Sequence, residues 1–142
     1  TRFGQIEAKQ EDVLLFPQGL IGFESTRQWL IIPDPENDAV AWLQSVGQAS
    51  LALPIVSPRK FVPDYKVNVT GRQLSQLNVR SSDRVNIMTV VSKSGKTLTT
   101  NLRSPLIINL TKRLACQVIT SDSKPLALPI SLGGKPALRI AA

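Results

Sequence analysis

The residues able to do chemistry are few. The chain has no histidine and one cysteine, so the commonest general base and transition-metal ligand is missing. Cys116 lies in an apolar strand pattern with no imidazole to take its proton, which reads as a buried, inert thiol. The ten carboxylates fall mostly in turns. The densest group, Asp34, Glu36 and Asp38, is interleaved with Pro33, Pro35 and Asn37 and lacks the ligand alternation and closing bidentate acid of a calcium loop. A Gly-containing stretch, residues 16–24 (FPQGLIGFE), is not followed by Lys-Ser/Thr and carries Leu20, Ile21 and Phe23, so it reads as a tight packed loop and not a phosphate cradle. Gly19 and Gly22 are expected to serve it by adopting positive φ. No catalytic residue, metal site or cofactor is expected, and a binding protein fits better than an enzyme. The one stretch with binding chemistry is residues 57–65, where Arg59 and Lys60 meet Phe61 and Tyr65. Cations interleaved with aromatics can hold single-stranded nucleic acid. Aromatics make up only 5% of the chain, and Phe61 and Tyr65 are expected first as anchors of a long loop.

The elements that must position these residues are strands. Residues 39–46 and 51–56 are apolar runs joined by Gly47-Gln48-Ala49-Ser50, a β-hairpin pattern. Pro54 removes a ladder donor and predicts an edge or bulge at that point. Two more hairpins are expected, 85–92 with 97–103 around Gly95, and 105–110 with 115–120. Shorter strands are expected at 3–9, 12–16, 27–32 and 65–69. The one helix spans residues 70–77, with Thr70 as N-cap and Leu74 and Leu77 on one face. Trp42, Leu53, Ile87 and Ile108 are expected in the core. Consecutive apolar residues in 106–108 and 90–91 indicate strands covered on both faces, as in a closed or nearly closed barrel. The expected fold is therefore all-β, an antiparallel β-barrel-like single domain with one short helix. At 142 residues the chain is large enough for one core without disulfides. The domain is expected over residues 1–124, with a Pro- and Gly-containing basic tail, largely extended, over 125–142.

Net charge is +7, unevenly distributed. Residues 1–58 hold three basic and seven acidic side chains, and residues 59–142 hold fourteen basic and three acidic. The molecule is bipolar if the two halves stay apart in space, and blurred if their strands intermix. No apolar run is long enough for a membrane helix, and the cytoplasm is the expected compartment.

Taken in order, Phe16-Pro17, Gly19-Leu20, Gly22-Phe23-Glu24, Trp42-Leu43-Gln44-Ser45, Leu51-Ala52, Pro58, Asp64-Tyr65, Asn101-Leu102-Arg103-Ser104-Pro105, Ile108-Asn109 and Gln117 resemble the flagellar assembly factor FliW family, colinear from about Gly4 to Pro125. The resemblance implies a non-enzymatic β-barrel-like domain. It implies two partners as well, newly made flagellin in the cytoplasm and the RNA-binding translational repressor CsrA, so that flagellin export frees the factor to lift repression of flagellin synthesis. The pattern departs from the family at Ile21, where proline is usual, and at residues 47–50, where an acidic, Pro-containing turn is usual. Many family members are acidic, whereas this chain has a pI near 10.1. The CsrA contact is accordingly expected to be weakened, altered or confined to the acidic N-terminal half.

For partner contact the expected residues are Gln44 and Ser45 near the first hairpin, Phe61 and Tyr65 in the connection after it, and Asn101 and Arg103 before Pro105. Each has a structural alternative: Asn101 can cap a turn, and Gln44 can bridge backbone groups. The competing function is a basic β-barrel module that binds single-stranded nucleic acid through Arg59, Lys60, Lys93, Lys96, Lys112 and Arg113.

Overall fold

A computed structural model describes residues 10–120 and 124–132. The strand expected at 3–9 and the tail beyond 132 lie outside the described residues. Nine strands follow one another as β1 (Leu14–Leu15), β2 (Gln28–Pro33), β3 (Val40–Ser45), β4 (Ala52–Val56), β5 (Val85–Ser94), β6 (Thr97–Thr100), β7 (Leu106–Asn109), β8 (Leu114–Gln117) and β9 (Leu128–Ile130). Among the described residues a single α-helix, α1 (Gly71–Ser75), lies between β4 and β5.

The pairing order is β4-β3-β2-β1-β8-β7-β5-β6-β9, and a further β4–β5 pairing closes seven of these strands into a ring. All pairs are antiparallel except β1–β8, where Leu15 meets Leu114 in parallel. That parallel pair is a local departure within the antiparallel β-barrel-like fold expected. It joins strands about 100 residues apart, and no local turn signal announces such a partner. The ring also keeps the two halves of the sequence apart: β1 to β4 are contiguous, as are β5 to β9. The strands of the acidic half and those of the basic half are therefore grouped and do not intermix.

Alternation sorts the ring's residues into an inner core and an outer one. Leu14, Phe16, Leu20, Trp29, Leu43, Ile55, Leu106, Ile108 and Ala115 form the inner cluster. On the outer face, Leu77, Ile107, Cys116 and Val118 pack under α1 with Val67, Val69 and Leu74. Thr70 caps α1 with a full capping box, its hydroxyl accepting from Gln73 N–H (3.1 Å) while the Gln73 side chain accepts from Thr70 N–H (2.9 Å). Trp42 and Ile108 are buried as expected, whereas Leu53 and Ile87 are only half-buried. Residues 65–69, expected as a strand, form none of the strand pairs among the described residues. Their side chains, Tyr65, Val67 and Val69, find burial by packing instead, and the segment runs as an irregular lead into α1.

Pro54 sits opposite Trp42 in β4. Ser45 N–H donates to Leu51 O, so odd-numbered residues of β4 bond to β3 and Pro54 turns its nitrogen the other way. On that other side β4 pairs with β5 only at Ile55 and Val56. Pro54 thus stands where the β4–β5 ladder stops, an edge position as its chemistry requires. Of the expected tail, residues 128–130 form β9 on the outside of β6.

Candidate functional site

β6 and β7 run along the same side of β5, but not as one continuous strand. Val91 pairs with Thr100 and Met88 with Leu106, so two residues of β5 oppose five on the other line, residues 101–105. The excess chain bulges outward. Asn101 shapes the bulge, its Oδ1 accepting from the N–H groups of Arg103 (3.0 Å) and Ser104 (3.2 Å). Tyr65, 3% exposed, donates its hydroxyl to Leu102 O at 2.6 Å. Arg103 Nε donates to Lys124 O (2.9 Å), and the Lys124 ammonium lies 5.6 Å from the centre of the Tyr65 ring. Arg59 Nε closes the group by donating to Tyr65 O (3.2 Å).

The loop of residues 16–24 reaches the same place. Phe16 and Leu20 enter the inner core, and Phe16 and Phe23 meet Trp29 edge to face. Gly19 and Gly22 hold φ of 68° and 89°. At Gly19 a side chain is excluded outright, because a Cβ there would lie 2.4 Å from Glu24 O. Gln117 ties loop to bulge: its Oε1 accepts from Ile21 N–H (2.8 Å) and its Nε2 donates to Ser104 O (3.0 Å). Beyond β8 the ladder continues, with Val118 N–H on Pro105 O and Thr120 N–H on Arg103 O. That phase puts Ile119 on the face of Gln117. Ile21 and Ile119, 57% and 63% exposed, thus flank the Gln117 bridge as an apolar rim beside the bulge.

The structure brings together three of the six expected contact residues, Tyr65, Asn101 and Arg103. Asn101 and Arg103 are half-buried at the bulge, and Tyr65 supports it from beneath. Phe61 packs instead beside Val40, Val56 and Val91, with Leu98 and Ile130. Gln44 and Ser45 are elsewhere, at the far end of the first hairpin, and are 0% and 2% exposed. Gln44 Nε2 lies 3.0 to 3.2 Å from the carbonyls of Ser45, Gln48, Ala49 and Leu51, and Ser45 Oγ accepts from Gln48 N–H. Both residues shape the 46–51 loop. Gln117 enters a sequence reading only through the family pattern; a polar residue closing the apolar run of 114–116 is the local signal for it.

A second polar group had no counterpart in the expected site. Asn109, 0% exposed, donates to Leu77 O (3.0 Å) and to Asp83 Oδ2 (2.9 Å). Lys112 Nζ joins the same carboxylate at 2.7 Å and also donates to Asn78 O. Hydrogen bonds from Lys112, Asn109 and the Arg80 backbone lower the Asp83 pKa from 3.8 to about 2. Burial raises the Cys116 thiol to about 11, so it stays protonated at neutral pH, and its Sγ approaches Gln73 O at 3.9 Å. The acidic turn after β2 is used internally: Asp34 accepts from Trp42 Nε1 (2.9 Å) and from Glu36 N–H. Among the described residues no aromatic ring is fully exposed, since Phe16, Trp29, Trp42 and Tyr65 are buried and Phe23 and Phe61 half-buried. The described residues thus present no fully exposed ring on which a base could stack. No helix among the described residues is long and apolar enough to cross a membrane.

Comparison with known proteins follows the same outline. The family model described as FliW protein matches residues 1–129. The chain belongs to the FliW family. Its FliW relatives include the flagellar assembly factor FliW of Bdellovibrio bacteriovorus, 35% identical over 125 residues, which cover 87% of this chain and 71% of that protein. FliW of Syntrophotalea carbinolica is 34% identical over 125 residues, covering 87% and 89%. A crystal structure of the flagellar assembly factor FliW superimposes with a TM-score of 0.78 at 28% identity, covering 89% of each chain. The β-rich single-domain architecture is thus that of FliW.

Proposed function

We propose that this chain is a non-enzymatic flagellar assembly factor that binds flagellin in the cytoplasm and antagonises the translational repressor CsrA. The observation that carries the reading is the FliW family match, which runs through the whole ring to β9. The bulge at residues 101–105 is the proposed flagellin surface. It offers the polar Asn101 and Arg103 beside the exposed apolar side chains of Ile21 and Ile119, polar and apolar groups side by side, which suits an amphipathic partner. Tyr65 and Phe61 contribute by holding the connection after β4, and Gln44 and Ser45 by shaping the 46–51 loop. CsrA, a basic RNA-binding partner, is assigned to the acidic half carried by β1 to β4, away from the basic strands.

Two partners drawing on one pool couple export to synthesis when binding of one disfavours the other. The test is calorimetric titration with cognate flagellin at low and high salt, repeated with CsrA present. Flagellin binding that changes little with salt and weakens in the presence of CsrA supports the reading. Absence of flagellin binding, or RNA binding that collapses with salt, overturns it.

A further inference from the structure

The first half of β5 has an edge that no other strand among the described residues uses. Leu110 N–H donates to Arg84 O, which fixes the phase of the β5–β7 ladder. Asn86 and Met88 direct their backbone groups to β7, while Val85 and Ile87 direct theirs to the opposite side. Farther along, that opposite side is where β4 pairs, with Val56 against Thr89. β4 ends there, and the chain turns away through the 3-10 turn Pro58–Lys60. A cavity of about 350 Å³ remains beside the strand, lined by Ser57, Arg59, Val85, Asn86, Ile87 and Met88.

Open strand edges are ordinarily blunted by proline, by charge or by a bulge. Val85-Asn86-Ile87-Met88 carries none of these: it is uncharged, regular and in register with β7. The charge lies on the far wall and the approach, where Arg59, Lys60 and Arg84 are exposed. Basic walls beside a neutral edge select for an acidic occupant.

We propose that this edge receives an added strand from a partner protein, an extended segment bearing carboxylates. Its backbone pairs with the N–H and C=O groups of Val85 and Ile87, continuing the line of β4, and its acidic side chains lie against Arg59. The edge lies on the opposite side of β5 from the bulge and shares with it only Arg59, whose Nε also bonds Tyr65 O; the proposal does not depend on the flagellin assignment.

The test uses the full chain and a short end-blocked peptide of alternating Val and Glu, with the same peptide carrying Lys for Glu as its control. Hydrogen exchange is followed residue by residue. In the free protein the Val85 and Ile87 amides exchange fast and those of Asn86 and Met88 slowly. The Val/Glu peptide slows Val85 and Ile87 at least tenfold, and Arg59→Glu weakens its binding about tenfold. Slow exchange of Val85 and Ile87 in the free protein overturns the proposal, because the chain itself then covers the edge. Unchanged exchange on adding the peptide overturns it equally, and equal binding of the Lys peptide overturns the acidic assignment.

Discussion

Two polar clusters brace the ring, and they are built on different chemistry. The Asp83–Asn109–Lys112 group gathers a carboxylate, an ammonium and a buried amide around the turn after α1. The bulge group around Tyr65, Asn101, Arg103 and Gln117 is made almost wholly of side chains bonded to backbone. The first is inward-looking, anchored on the fully buried Asn109. The second borders the exposed Ile21 and Ile119. The difference is one of means: an ion pair and a buried amide fix the turn after α1, whereas side-chain bonds to backbone, without a carboxylate, shape the bulge.

The sharpest way to break this contrast is Asn109→Ala. It strips a donor from the buried Leu77 carbonyl and another from Asp83, and unfolding by denaturant is expected to show a loss of about 3 kcal/mol. Tyr65→Phe removes only the hydroxyl bonded to Leu102 O. It should lower stability by about 1.5 kcal/mol, equally at pH 7 and pH 3. Asp83 supplies the opposite behaviour. Its folded pKa of about 2 lies below the ordinary 3.8, so its contribution is complete above about pH 4 and is lost as pH falls toward 2. Melting temperatures measured across that window should fall more steeply for the parent chain than for Asp83→Asn. Arg103→Gln should be the mildest, within about 0.5 kcal/mol in stability, while weakening flagellin binding in the titration above. Unchanged flagellin affinity in that variant would remove Arg103 from the proposed surface.

The hairpins and α1 were legible because local chemistry determines them. Gly95 has φ of 62° in the two-residue connection between β5 and β6, and Thr70 with Gln73 spells out a capping box. Closure of the barrel was legible only as consecutive apolar residues, and the parallel Leu15–Leu114 contact was not legible at all, since strand pairing across most of the chain leaves no local mark. Residues 65–69 misled by composition: β-branched side chains bury themselves equally well in an irregular segment laid over the outer face. In the candidate site, Asn101 before Arg103-Ser104-Pro105 announced a turn. That Tyr65 would support it from beneath, through a hydroxyl 37 positions away in sequence, could be learned only from the fold. Gln44 shows the converse. A polar residue in the apolar run of β3 suggested a contact with another molecule, and it serves the backbone of its own hairpin.

The ring is closed by two narrow joints, one parallel contact at Leu15–Leu114 and two register pairs, Ile55–Val90 and Val56–Thr89. On either side of them lie strands connected by short local turns. Folding is therefore expected to divide into quick formation of each set of hairpins and a slower, long-range docking of one set on the other, which stopped-flow refolding would show as two phases. The docking sets carry opposite charge, acidic for residues 1–58 and basic for the rest. Electrostatic steering, usually discussed for encounters between molecules, is then expected to act within a single chain, with salt slowing the closure of the barrel.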